Sequence, residues 1–162
     1  MGKQHLSYNP VEQGDETTGC WAASMSWWLS AVRNVKYSMT DIAKMYKQNT
    51  NAPVGPATIG GLSDVGVIRL FNDPKWRIWQ GWISRQVFKN ADVDSYLADS
   101  PTFISYYSEE LKGAHMNVVV AKAPSEGDYY IMDPSYAQFQ VRKMNYYTVR
   151  SKVIVLASSK PY

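Results

Sequence analysis

The chain has 162 residues, 45% of them hydrophobic and 14% aromatic, with 6 Trp and 12 Tyr. That is enough apolar material for one packed domain, and it excludes a disordered chain. The net charge of +3 is mild and the Lys and Arg residues are scattered, so no basic block marks a nucleic-acid footprint.

Cys20 is the only cysteine, which excludes an internal disulfide framework and a multi-cysteine zinc site. No cofactor or metal is therefore expected, and a reducing compartment is permitted. No apolar run approaches the ~18 residues of a membrane-spanning helix, so no membrane partner is expected. The opening Met1-Gly2-Lys3-Gln4-His5 lacks an apolar signal core, and Met1-Gly2 also fits one domain of a larger protein.

Residues 3–18 read as an irregular lead-in with a turn at Asn9-Pro10, and Leu6, Tyr8 and Val11 allow a short strand. Gln13 precedes Cys20 by seven positions. Its amide can reach back beside the thiol as a donor, or it is a surface glutamine in a polar loop. Cys20 follows Gly19 and opens a stretch, to about residue 35, that is apolar on most faces and predicts a buried first helix. A thiol in a first helical turn sits among unpaired N–H groups at the positive end of the macrodipole. Such settings lower a thiol pKa from about 8.5 to roughly 3.5–7.5.

Thr40 is the predicted N-cap of a second helix, with Asp41 in its first turn and Ile42, Met45 and Tyr46 on its apolar face. Residues 49–66 predict loops with one helical turn near Leu62. Trp76, Trp79 and Trp82 recur at the spacing of one helix side, against which Pro74 and Gly81 speak. They are either core or an aromatic wall facing a substrate. Asp92 to Ala98 predicts a short helix with Val93, Tyr96 and Leu97 inward, ended by Pro101.

The pattern then changes. Thr102–Tyr107, Met116–Lys122, Tyr129–Met132, Phe139–Arg142 and Val153–Ala157 are short runs rich in Val, Ile, Tyr and Phe, and they predict an antiparallel sheet. Helices first and strands later mean an α+β domain. It is a single domain, with a helical part at about 13–100 and a β part at about 101–158.

The chain has two histidines, His5 in the lead-in and His115 at the mouth of the 116–122 strand. Asp133 ends the Tyr129–Met132 strand and precedes Pro134, so a hairpin can bring it beside His115. A carboxylate on one imidazole nitrogen fixes tautomer and orientation and leaves the other nitrogen for a thiol. Taken singly, His115 also reads as a packed structural residue and Asp133 as a turn opener. Together with Cys20 they make a nucleophile, base and orienting group.

These residues resemble a known family. Gly-Cys-Trp-Ala-Ala-Ser at 19–24 is similar to the nucleophile segment of papain-like cysteine peptidases. His-Met-Asn-Val-Val-Val at 115–120 and Ile-Met-Asp-Pro at 131–134 resemble its compact bacterial branch, which includes the AvrRpt2-type effectors and the C39-like, double-glycine-cleaving peptidases. The likeness spans about residues 13–134, including the helix-then-strand segment Leu97–Ser105. It implies a papain-like fold with a nucleophile helix, Cys20 as nucleophile, His115 as general base and then acid, Asp133 as orienting residue and Gln13 as oxyanion donor. It also implies a protein substrate, an effector or toxin delivered by a secretion system into a target cytoplasm, and an immunity or inhibitor protein as partner. Two features depart from the pattern. The Gln13–Cys20 spacing is one residue longer than in papain, and residues 49–88 carry no motif that aligns. A peptidoglycan amidase or acyl transferase with the same nucleophile, or a non-catalytic binding module on the same fold, are the competing readings.

Overall fold

A computed structural model describes residues 3–14, 18–50, 61–108 and 113–160. Its first element is a short 3-10 helix, Lys3–Ser7, in place of the short strand that Leu6, Tyr8 and Val11 allow. Helix α1 spans Cys20–Arg33, and Trp21, Met25, Trp27, Trp28 and Leu29 are all buried, as an apolar surface on every side requires. It stops at Asn34, whose φ of 53° is left-handed. The Val35 N–H donates back to Leu29 O, six residues earlier, at 3.1 Å and satisfies one of the carbonyls at the helix end.

Helix α2 is Met39–Met45, and its N-cap is Ser38 rather than Thr40. The Ser38 hydroxyl accepts from the Asp41 N–H at 3.1 Å, and the Asp41 carboxylate accepts from the Ser38 N–H at 3.3 Å. Asp41 is thus the third residue of a capping box, a signal that Thr40 obscured. Leu62 bridges Thr50, and helix α3, Asp64–Asn72, starts beyond it with Ser63 as cap. Most of the predicted 49–66 loop, residues 51–60, lies outside the described residues.

Trp79 and Trp82 lie on a strand, β1 (Ile78–Ser84), and not on a helix. Three residues span almost one helical turn but reverse the side-chain direction on a strand. Trp79 therefore stacks on Tyr96 with centroids 3.8 Å apart, while Trp82 points to the other face. Trp76 precedes the strand and is buried, its Nε1 donating to Tyr46 Oη at 2.6 Å. Helix α4 is Asn90–Leu97, with Val93, Tyr96 and Leu97 buried.

The remaining strands fall where the alternation predicts them: β2 (Thr102–Ser108), β3 (Gly113–Lys122), β4 (Asp128–Met132), β5 (Gln140–Lys143) and β6 (Val153–Ser159). A short helix, α5 (Asn145–Thr148), joins the last two. The six strands form one antiparallel sheet in the order β1-β6-β2-β3-β4-β5. One face, with Phe103, Met116, Val118, Met132, Val155 and Ala157, packs against α1, α2 and α3. The opposite face, with Ile104, Val119, Ile131, Ile154 and Leu156, packs against α4 and α5. The architecture is α+β with helices leading and the sheet mostly following; among the described residues, β1 is the one strand of the sheet within the first hundred positions.

Candidate active site

The site forms where the start of α1 meets β3. Cys20 is the first residue of the helix, capped by Gly19, which offers no side-chain acceptor to its free amides. Its Sγ lies 4.0 Å from Ala114 O on β3. One turn on, the buried Ser24 hydroxyl donates to Met116 O at 2.9 Å and locks the helix against the strand. His115 lies between these two attachment points. Cys20 is 5% exposed, and His115 and Asp133 are each 2% exposed.

Asp133 follows β4 and meets His115 across the strand pair, as the hairpin predicts. His115 Nε2 donates to Asp133 Oδ1 at 3.0 Å. The Ser135 N–H donates to the same oxygen at 3.0 Å, the turn geometry expected after Asp-Pro. Nε2 is therefore occupied, and the buried Nδ1, which has no nitrogen or oxygen partner, is left for the thiol. Burial disfavours a charge on the His115 ring, but its hydrogen bonds to Asp133 and Cys20 and the coulombic effect of both outweigh it, raising the pKa to about 10. Burial likewise works against ionised Asp133, but His115, the Ser135 amide and Arg142 together hold it at about 2. The edge of the Tyr106 ring meets the His115 ring at 84° with centroids 5.7 Å apart.

Gln13 is brought to the same corner. Its N–H donates to Pro134 O at 2.8 Å, next to Asp133, and its side-chain Oε1 is buried without a partner. Gly14 follows with φ of 65°, a left-handed turn that suits glycine. The extra residue between Gln13 and Cys20 falls in a segment whose positions 15–17 lie outside the described residues.

Four residues to which the sequence reading gave no role complete the cluster. Arg142 on β5 donates from Nη2 to Asp133 Oδ2 at 2.7 Å, with both side chains largely buried. Its guanidinium lies over the Tyr146 ring, 4.2 Å from the centroid. Asn117 is fully buried, and hydrogen bonding orients its amide oxygen to accept from Arg142 Nη1 at 2.9 Å and from Tyr147 Oη at 3.3 Å. The one signal in the sequence was phase. On β5, Gln140 and Arg142 occupy the inward positions of the alternation, and a polar inward residue needs a partner. Among the described residues, no group of three or more His, Cys, Asp or Glu is arranged to hold a metal ion.

No protein-family model matches the chain, and no curated protein matches it in sequence. Solved structures do match its fold. The peptidase domain of Streptococcus ComA, a bi-functional ABC transporter involved in quorum sensing, superposes with a TM-score of 0.61 at 14% identity, covering 94% of this chain and 99% of that domain. The fold is papain-like. A double glycine motif protease from an AMS/PCAT transporter, solved in complex with a leader peptide, also superposes, with a TM-score of 0.52 at 13% identity over 94% of this chain and 92% of that one. Both neighbours are C39 peptidase domains, so the papain-like fold here is shared with double-glycine peptidases at low identity.

Proposed function

We propose that the chain is a cysteine endopeptidase of the double-glycine kind, with Cys20, His115 and Asp133 as its catalytic set. The observation that carries this reading is the buried His115–Asp133 hydrogen bond, which occupies Nε2 and leaves Nδ1 for the thiol at the start of α1. The fold likeness to two peptidase domains, one titled as a double glycine motif protease in complex with a leader peptide, supports a protein or peptide substrate.

His115 takes the thiol proton at Nδ1, giving a thiolate and an imidazolium held by Asp133. The sulfur attacks a peptide carbonyl, forming the C–S bond and a tetrahedral oxyanion. The Cys20 amide and the Gln13 side-chain amide donate to that oxyanion; loss of one such donor typically costs about 2.7–4 kcal/mol of barrier. Collapse breaks the C–N bond as Nδ1–H protonates the leaving amine. Water, deprotonated by the same nitrogen, then attacks the acyl-enzyme, releases the acid and returns the proton to sulfur.

The test compares wild type with Cys20→Ala on a quenched fluorescent peptide containing a Gly-Gly pair and on a cell proteome read for new N-termini. Cleavage by wild type alone is expected. His115→Ala should also lose rapid alkylation of Cys20 by iodoacetamide at neutral pH. Release of cell-wall fragments with no peptide cleavage would instead identify a peptidoglycan amidase.

A further inference from the structure

Among the described residues, the sheet face that α1 covers is left open at its end beyond Cys20. There Trp82 on β1, Val155 on β6 and Ser105 on β2 lie side by side in register. The next row along the same face holds Ser84 opposite Val153 and Tyr107 opposite Ala114. Apart from Ser84, these residues line a groove of about 550 Å³ that Asp64 and Val67 of α3 also line. Ala114 lines it and is also the residue whose carbonyl lies 4.0 Å from Cys20 Sγ, so the groove and the candidate nucleophile share that residue as a neighbour. Its large apolar side chains are uncovered: Trp82 is 46% exposed, Tyr107 49% and Val153 42%. A strip this apolar beside a reactive group is a binding surface rather than ordinary exposure.

Its charge is one-sided. Among the described residues, the lining carries Arg85, Arg150 and Lys152 against one carboxylate, Asp64. Arg85 and Lys152 are held together because the Arg85 N–H donates to Lys152 O at 2.9 Å. Arg150 is steadied by the Tyr146 ring, 3.7 Å from its guanidinium. Cations clustered along a low-dielectric wall concentrate their field on whatever lies in the groove.

We propose that this groove selects acidic peptide segments: an extended chain whose apolar side chains settle on Trp82, Tyr107 and Val153 while Asp or Glu side chains face Arg85 and Lys152. An extended chain sends alternate side chains in opposite directions, so apolar and acidic residues in alternation meet floor and rim together. That the occupant is substrate rests on the peptidase reading; the groove's preference for acidic peptides does not.

The experiment uses fluorescein-labelled peptides of alternating leucine and glutamate ending in two glycines, with counterparts carrying glutamine or lysine in place of glutamate. Binding to Cys20→Ala is read by polarisation, so no turnover is needed. The glutamate peptide should bind best and weaken as salt rises. Adding Arg85→Glu and Lys152→Glu to Cys20→Ala should weaken it roughly tenfold and favour the lysine peptide instead. Both positions are exposed, and a thermal melt verifies folding; the peptide series on the chain with its native rim gives the same answer without them. Equal affinity for the glutamate and glutamine peptides would overturn the assignment, whether or not wild type cuts either. Charge-selective binding by Cys20→Ala, with wild type neither cutting peptide nor reacting at its thiol, would uphold the groove and reject the peptidase.

Discussion

At the scale of single residues, the site is a buried chain of polar side chains running Cys20, His115, Asp133, Arg142. Each link depends on the next. Part of what raises His115 to about 10 is the sulfur, so Cys20→Ala should move the ring's titration down, measured by NMR of the imidazole protons. The stability consequence has a definite sign. A histidine pKa raised by folding stabilises the fold fully below its unfolded value near 6.5, and the contribution is lost as pH rises toward about 10. Asp133, lowered to about 2, contributes above its unfolded value near 3.8 and loses that contribution as pH falls. Urea unfolding should therefore show wild type losing stability from pH 6.5 to 10, with His115→Gln losing much less. Arg142→Met leaves Asp133 Oδ2 buried without its partner, and breaking such a pair costs about 3–5 kcal/mol. Cys20, His115 and Asp133 were legible because each stands at punctuation: a glycine before a helix, a strand mouth, an Asp-Pro turn. Arg142 was not, because nothing local says which carboxylate its inward phase will meet.

Among the elements, the later strands could be read directly, since alternating Val, Ile and Tyr runs between turn residues have few other solutions. Strand β1 could not. Its tryptophans repeat at a helical interval, and only pairing with β6 decides the matter. Gly81 records that pairing. A Cβ there would run into the Tyr96 hydroxyl, and Tyr96 cannot easily yield because it is stacked on Trp79. Gly81→Ala should cost about 1–3 kcal/mol in denaturant unfolding, as overpacking does. At the end of α1, Asn34 tolerates a left-handed φ that alanine does not. Asn34→Ala should destabilise by about 1 kcal/mol while Asn34→Gly stays near neutral, read from paired thermal melts.

For the molecule as a whole, α+β and a papain-like fold were legible in the change from helical to alternating pattern and in the residues around Cys20. The two-sided covering of the sheet was not, because alternation says that both faces are used without saying which helix takes which. Helix α1 is what joins the parts. Trp28 Nε1 donates to Pro101 O at 2.8 Å, and the Trp28 ring packs on Phe103 with centroids 5.3 Å apart. Phe71 of α3 meets the same Phe103 ring at 5.2 Å. Helical part and sheet thus share one core, so tryptophan fluorescence and far-ultraviolet circular dichroism should report coincident unfolding in urea.

That shared core bears on what can enter the groove between α3 and the open end of the sheet. Both banks are riveted to the same phenylalanine, so among the described residues nothing hinges one bank away from the other to admit a bulky guest. On the proposed peptidase reading, a guest would then arrive as a single slender thread, and a folded target would be open to attack only where a tail or loop already peels away from its own surface.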